Sequence, residues 1–245
     1  MKLLIDIGNT NTALALVKNR KIVRRYFFYT ARKNVKAAAL RRLLGLNNKK
    51  IETIVIVSVV PEFLKLLILG LNKVFDSVPI IVVGKDLKVP IRVQYEKPKE
   101  VGQDRLVAAY AVKHYFGYPS LVIDFGTAVT FDYLNSKGDY EGGLIFPGIR
   151  LALGSLINNA ALLPNISLRS MRGLIGRNTN DSMNKGIVIG YSSLCDGIIK
   201  KFKEKYGDHL KVIATGGDSE LIFKYAKASP ELSRDLIISG LDLLS

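Results

Sequence analysis

The sequence predicts an α/β protein made of two similar domains, each built on a mixed sheet. Three observations carry that expectation. An apolar strand closing on Asp-x-Gly occurs twice, as Leu3-Leu4-Ile5-Asp6-Ile7-Gly8-Asn9-Thr10 and as Leu121-Val122-Ile123-Asp124-Phe125-Gly126-Thr127-Ala128. The copies lie 118 residues apart in a chain of 245, and a threonine, Thr12 or Thr130, follows six residues after each Asp. Both halves also read as three strands, helix, strand, helix, strand, helix. A dinucleotide fold or a β/α barrel would alternate strand and helix from the start.

In order, residues 2–7, 13–17 and 21–28 alternate as strands, joined by turns at 8–12 and 18–20. Asn34 is a candidate cap for a helix running to about Leu44, which Gly45 stops. An apolar run at 54–59 reads as a buried strand. Pro61 then suits the first position of a helix, where its missing N–H costs nothing. Residues 79–83 form another strand. The stretch 84–102 holds Pro90, Pro98 and two glycines and reads as an irregular, function-bearing loop before a helix over 103–115. The second half restarts with strands at 121–125, 129–134 and 140–146, then a helix from Gly148 to about Ala160. A second irregular stretch runs from Pro164 to about Asn180, and a long helix covers roughly 181–205. A strand at 212–214 breaks at Thr215-Gly216-Gly217-Asp218, and a helix continues to about Ala226. The domains are expected at 1–116 and 117–245, with the site in the cleft between the two Asp-x-Gly turns.

Composition is that of an ordinary globular chain, 48% hydrophobic and 23% charged. The single Cys195 excludes an intrachain disulfide and fits a reducing compartment. With only His114 and His209 besides, no Cys/His zinc cluster can be built. The apolar run after Lys2 ends at Asp6, too short for a secretory signal core. The nearest thing to a membrane span, residues 54–71, contains Pro61, Glu62 and Lys65. A cytoplasmic location with no membrane contact is the expectation. The net charge of +15 is concentrated: residues 7–51 hold twelve Lys/Arg and no Asp or Glu. A solvated basic face is the plainer reading and a surface for nucleic acid the sharper one. No nucleic-acid-binding motif accompanies it.

The chemistry is expected at the repeated turns. Each puts a carboxylate at a strand end and follows it with a tight turn whose backbone N–H groups can face an anion. Two such turns suit a polyphosphate and its metal, whereas one alone would be an ordinary hairpin connection. The phosphate loop with Gly, four spacers and Gly-Lys-[Ser/Thr] is absent, as are Gly-x-Gly-x-x-Gly and Gly-x-Ser-x-Gly.

Two Asp-x-Gly turns a domain apart, with a late Thr-Gly-Gly, resemble the superfamily of acetate and sugar kinases, heat-shock ATPases and actin. Further stretches are similar to type III pantothenate kinases in particular. They are Asp6-Ile7-Gly8-Asn9-Thr10, Ser58-Val59-Val60-Pro61, Tyr95 with Pro98, and Gly102-Gln103-Asp104-Arg105. Asp124-Phe125-Gly126-Thr127, Gly142-Gly143 with Pro147-Gly148, and Ile175-Gly176-Arg177-Asn178-Thr179 followed by Gly186 continue the match across nearly the whole chain. Gly-x-Asp-Arg and Gly-x-Asn-Thr are its most specific parts. Gln103 departs from it, standing where a small residue, usually alanine, is implied.

The resemblance implies two duplicated ribonuclease H-like domains, with an actin-like ATPase architecture. It implies ATP-dependent phosphorylation of the primary hydroxyl of pantothenate, opening coenzyme A synthesis. Magnesium, a monovalent cation (potassium or ammonium) and a homodimer with shared active sites are implied with it. Asp104 is then the general base, and its place at a helix start favours the ionised form a base needs. A plain helix N-terminal Asp is the alternative. Asp6 serves magnesium, directly or through water. Ile7, Gly8, Asn9, Thr10, Asn11, Thr12 and Ala13 line ATP with it, and Thr127 contacts its phosphates. Asp124 holds potassium. Tyr95, Gly102, Gln103, Asp104, Arg105 and Thr179 bind pantothenate, although Arg105 also suits an ion pair and Thr179 a helix cap. Gly216 and Gly217 suit either close approach to adenine or ribose, or an ordinary loop. Two other functions compete: a transcription accessory or regulatory binding protein on the same fold, and a related small-alcohol kinase.

Overall fold

A computed structural model describes residues 1–30, 40 and 51–245. The helix expected over 34–44, and with it most of the basic stretch, lies outside the described residues. Two compact units emerge: Met1–His114 together with Asp235–Ser245, and Tyr115–Arg234.

The first unit is a five-stranded mixed sheet. Strands β1 (Lys2–Ile7), β2 (Asn11–Lys18), β3 (Lys21–Tyr29), β4 (Thr53–Ser58) and β5 (Ile80–Val82) lie in the order β3-β2-β1-β4-β5. β1 is central, antiparallel to β2 and parallel to β4. Both β1 and β4 are therefore buried on two faces, which explains their unbroken apolar runs, Leu3-Leu4-Ile5 and Ile54-Val55-Ile56-Val57. Side chains alternate along a strand. Leu3, Ile5 and Ile7 enter a core with Leu14, Leu16, Ile54, Ile56 and Phe63. Helix α1 (Pro61–Asn72) covers this face, with Pro61 at its first turn and Phe63, Leu67 and Leu71 buried. Leu4, Val55 and Val57 face the other way, against Val107 of α2 (Gln103–Tyr115).

That second face is completed by helix α6 (Leu236–Leu243), whose Ile238 and Leu241 enter the same core. The sequence reading has no element there. Lys2 Nζ donates to Asp242 Oδ1 (3.1 Å), and Arg25 Nε donates to Asp235 Oδ1 (2.8 Å), so both ends of α6 are tied to the first sheet. Apolar burial does most of the holding, since half-exposed ion pairs of this kind contribute little.

The second unit repeats the plan. Strands β6 (Ser120–Phe125), β7 (Ala128–Leu134), β8 (Tyr140–Pro147), β9 (Lys211–Gly216) and β10 (Glu231–Leu232) lie in the order β10-β9-β6-β7-β8. The central β6 is antiparallel to β7 and parallel to β9, as β1 is to β2 and β4. Leu121, Ile123 and Phe125 pack with Val188, Cys195 and Ile199 of the long helix α4 (Thr179–Tyr206). Helices α3 (Ile149–Asn159) and α5 (Ser219–Phe223) complete the unit. The architecture is thus α/β with two mixed sheets of matching topology, the arrangement expected of duplicated ribonuclease H-like domains. Among the described residues, no helix is long and apolar enough to cross a membrane.

Candidate active site

Alternation along β1 decides where the first carboxylate goes. Asp6 shares the parity of Leu4, so it stands on the sheet face that α2 covers, at the end of the strand. β1 then breaks into a four-residue turn, Gly8-Asn9-Thr10-Asn11, closed by Gly8 N–H donating to Asn11 C=O at 3.0 Å. Asn9, Thr10 and Asn11 are exposed, Gly8 and Ala13 partly buried, and Ile7 and Thr12 buried. Thr12 is fully inside, its hydroxyl 2.9 Å from that of Thr30.

Asp104 lies in the first turn of α2, one helical turn before Val107, which packs on the face that carries Asp6. Its Oδ1 accepts a hydrogen bond from Arg105 N–H at 2.8 Å. This folds the carboxylate back over the residue two positions earlier: a Cβ on Gly102 would sit 2.5 Å from the same oxygen. Gly102 is therefore glycine because of Asp104. Gln103 finds its place against Gly84, whose φ of +88° suits glycine and whose missing side chain leaves room for the glutamine. The larger residue at 103 is thus accommodated without displacing Asp104. Tyr95, Gly102, Gln103 and Arg105 are all partly buried. The loop carrying Tyr95 opens with a tight turn, Gly84 N–H to Leu87 C=O at 2.7 Å, and ends in a short 3-10 turn at Pro98–Glu100.

In the second unit, Asp124 holds the place of Asp6. Directly paired residues share a sheet face. Asp6 is flanked by Ala13 on β2 and Val57 on β4, and Asp124 by Thr130 on β7 and Thr215 on β9. The second carboxylate therefore has a hydroxyl-bearing residue on each neighbouring strand, and the Thr130 hydroxyl donates to Asp132 Oδ2 at 3.0 Å. The first stands between hydrocarbon groups and would leave a metal to water and phosphate for its remaining ligands, the usual condition of magnesium. Among the described residues, no group of three or more His, Cys, Asp or Glu side chains is placed to hold a metal ion by itself. Thr127 is exposed in its turn.

Thr179 opens α4. Asn178 is the cap, its side chain accepting Asp181 N–H at 2.9 Å, so Thr179 is not needed for capping and its side chain is exposed. The segment before it is irregular but stitched down. The buried Asn184 bonds both backbone groups of Arg169, and Tyr225 Oη accepts from Met171 N–H at 2.7 Å. Lys185 Nζ reaches Ile175 C=O at 2.7 Å and Asp181 at 2.8 Å. The Lys185 hydrogen bond holds the Asp181 carboxyl below its ordinary range. Two open pockets of about 400 and 480 Å³ flank this segment, and neither includes Asp124 or Thr127.

At the end of β9, Gly216 (φ +90°) lies against the backbone of Phe125, whereas Gly217 has open space. Arg150 grips Asp218 with two hydrogen bonds of 3.2 and 2.9 Å, fixing the loop that follows the glycines. Arg150, Asp218, Thr30 and Thr215 escape the motif reading because their roles depend on pairing across strands and loops distant in sequence.

Comparison with known proteins identifies the family. A family model described as type III pantothenate kinase matches residues 2–201. A type III pantothenate kinase from Halalkalibacterium halodurans is 38% identical over 250 residues, covering 100% of this chain and 98% of that protein. Among solved structures, a protein from Sinorhizobium meliloti described as a candidate 2-dehydro-3-deoxygalactonokinase aligns with TM-score 0.65 at 12% identity, covering 100% and 95% of the two chains. A protein from Campylobacter jejuni described as a candidate Baf family transcriptional activator aligns with TM-score 0.60 at 21% identity, covering 99% and 96%. At those identities the two structures speak to the fold alone.

Proposed function

The chain belongs to the type III pantothenate kinase family, and from that premise we propose how its own residues carry out the reaction. The enzyme phosphorylates pantothenate with ATP, in coenzyme A synthesis, and the family implies a divalent metal. Asp104 is the general base. As the primary hydroxyl oxygen of pantothenate bonds to the terminal phosphorus of ATP, the bond to the leaving ADP oxygen breaks and the hydroxyl proton passes to the Asp104 carboxylate. The observation that carries this reading is the carboxylate of Asp104 at the start of α2, on the face of the sheet that bears Asp6, held by Arg105 N–H over a glycine.

Backbone N–H groups of the Gly8–Asn11 turn, other than that of Gly8, which closes the turn, bind the ATP phosphates beside Asp6 and Ala13; Ile7 and Thr12, buried on the opposite sheet face, support the turn from behind, and Thr127 contacts the phosphates from the second unit. Asp6 would hold magnesium, directly or through water; the bound ion would neutralise charge on the phosphates. Asp124, flanked by Thr130 and Thr215, would hold potassium or ammonium. Arg105 pairs with the pantothenate carboxylate, and the Tyr95 and Thr179 hydroxyls meet its amide and hydroxyl groups. The protein works as a cytoplasmic homodimer in which Thr179 serves the partner's substrate.

The test is to incubate purified protein with ATP, magnesium, potassium and pantothenate and to detect phosphopantothenate by mass. Asp104→Asn lowers turnover by about 100- to 10,000-fold, the range for a lost general base, while ATP still binds. Turnover near wild type in a clean preparation of this variant would sink the assignment.

A further inference from the structure

The two Asp-x-Gly turns are closed by the same backbone device. In each unit the residue just after the third strand donates its N–H to a carbonyl of the turn. Thr30, following β3, donates to Thr10 C=O at 2.8 Å, and Gly148, following β8, donates to Thr127 C=O at 3.0 Å. The turns differ in length. Ile7 pairs with Thr12 across four residues, and Phe125 pairs with Val129 across three. The residues that close them differ accordingly. A Cβ on Gly148 would lie 2.1 Å from Thr127 O and 2.6 Å from Gly126 O, so the shorter turn leaves no room for a side chain. The longer turn takes one and uses it: Thr30 Oγ1 donates to Gly8 C=O at 2.7 Å.

A hydroxyl has one proton to give. Thr30 gives its proton to Gly8, so the 2.9 Å contact with the fully buried Thr12 is one in which Thr12 donates and Thr30 accepts. A chain of hydrogen bonds therefore runs from Thr12 through Thr30 to the turn, and each bond polarises the next. It fixes two peptide planes. A trans peptide carries its C=O and N–H on opposite sides. Holding Gly8 C=O toward Thr30 turns Asn9 N–H away from it, and holding Thr10 C=O does the same for Asn11 N–H.

We infer that Thr30 is the positioning residue of the ATP-phosphate turn: it touches no phosphate but orients the peptide N–H groups that do. The inference rests on the reading that the Gly8–Asn11 turn binds ATP phosphates. Donors fixed in advance spare the cost of ordering them when the anion arrives.

The experiment measures KM for ATP, KM for pantothenate and kcat for Thr30→Val, Thr30→Ser and, as a probe of the turn, Gly8→Val. Thr30→Val keeps shape and loses the hydroxyl. Its KM for ATP rises about tenfold, the scale of one hydrogen bond, while KM for pantothenate stays within twofold. ADP affinity, measured by calorimetry without turnover, falls in parallel. Thr30→Ser restores ATP KM to within threefold of wild type. If Thr30→Val does not fold, Thr30→Ala against Thr30→Ser gives the same contrast. Thr30→Val with ATP KM and ADP affinity within twofold of wild type overturns the inference. So does a loss shared equally by both substrates, or a serine variant no better than valine. Gly8→Val separates this from the underlying reading. If it weakens ATP while Thr30→Val does not, the turn binds phosphate and the role of Thr30 alone falls. If neither moves ATP, the phosphate turn itself is misassigned.

Discussion

At the scale of single residues, the candidate site depends on a glycine as much as on the carboxylate it serves. Asp104 Oδ1 occupies the space that a Cβ of residue 102 would take, at 2.5 Å. Gly102→Ala must rotate the carboxylate or shift the start of α2. A displacement near 1 Å at a reacting group costs up to about 100-fold. Gly102→Ala is thus expected to lose ten- to a hundredfold in kcat while its melting temperature and ADP affinity stay near wild type, which steady-state kinetics beside thermal unfolding would check. Equal kcat would mean that Asp104 has no fixed position to lose. The two strand-end carboxylates make a second contrast. Asp124 has Thr130 and Thr215 as cross-strand neighbours where Asp6 has Ala13 and Val57. Turnover should accordingly require potassium or ammonium and be weak in sodium alone, and Asp124→Ala should abolish that preference. Equal rates in sodium and potassium would count against a cation at Asp124.

At the scale of elements, α6 shapes the site from a distance. A Cβ on Gly240 would lie 2.5 Å from Val107 O and 2.6 Å from Val107 Cγ1, so α6 and α2 meet backbone to backbone. Val107 is one turn from Asp104. Gly240→Ala forces the helices apart and should cost about 1–3 kcal/mol of stability, lowering the melting temperature by several degrees; calorimetry reads this directly. An unchanged melting temperature would show that α6 tolerates displacement. This contact is invisible in the sequence, because a short apolar run at 236–243 says nothing of which sheet it returns to. Elements with strong local signals were legible: β1 over 2–7 and α2 over 103–115 match the periodic reading residue for residue. Pro61 enters α1 as its chemistry requires. The repeat itself was legible as sequence but not in register. Thr12 and Thr130 follow their Asp residues by the same count. The second turn is one residue shorter, so Thr130 pairs with Asp124 whereas Thr12 pairs with Ile7. A slip of one residue exchanges sheet faces. Thr12 is therefore buried beside Thr30, and Thr130 shares the face of the second carboxylate. Turn length is set by backbone closure, which a motif count does not measure.

At the scale of the whole molecule, the proposed substrate residues are divided between the units, Asp104 in the first and Thr179 in the second. The apolar residues of α4 offer no free face for a two-fold mate. In the structure its Val188, Cys195 and Ile199 enter their own unit's core, and Ile187, Leu194 and Ile198 pack against it. Burial also pushes the Cys195 thiol up to about 12. The apolar surface left over lies just before the helix, where Leu174 is 73% and Ile175 76% exposed beside a pocket of about 480 Å³. Large exposed apolar residues clustered at one place mark contact surfaces, and two-fold dimers are the commonest closed assemblies. Thr179 follows that surface by four residues, and the Lys185 bonds to Ile175 and Asp181 hold the two together. A mate bound there would bring Thr179 to the partner's substrate. The decisive measurement mixes Asp104→Asn with Thr179→Ala subunits, each poorly active alone, under conditions that allow exchange. In a mixed dimer with shared sites, one site receives both defects and the other receives none. Activity should return toward about a quarter of wild type, since random pairing makes half the dimers mixed and half of their sites intact. No recovery despite demonstrated exchange would place Asp104 and Thr179 at the same subunit's substrate, and full turnover by a protein that stays monomeric would refute sharing altogether.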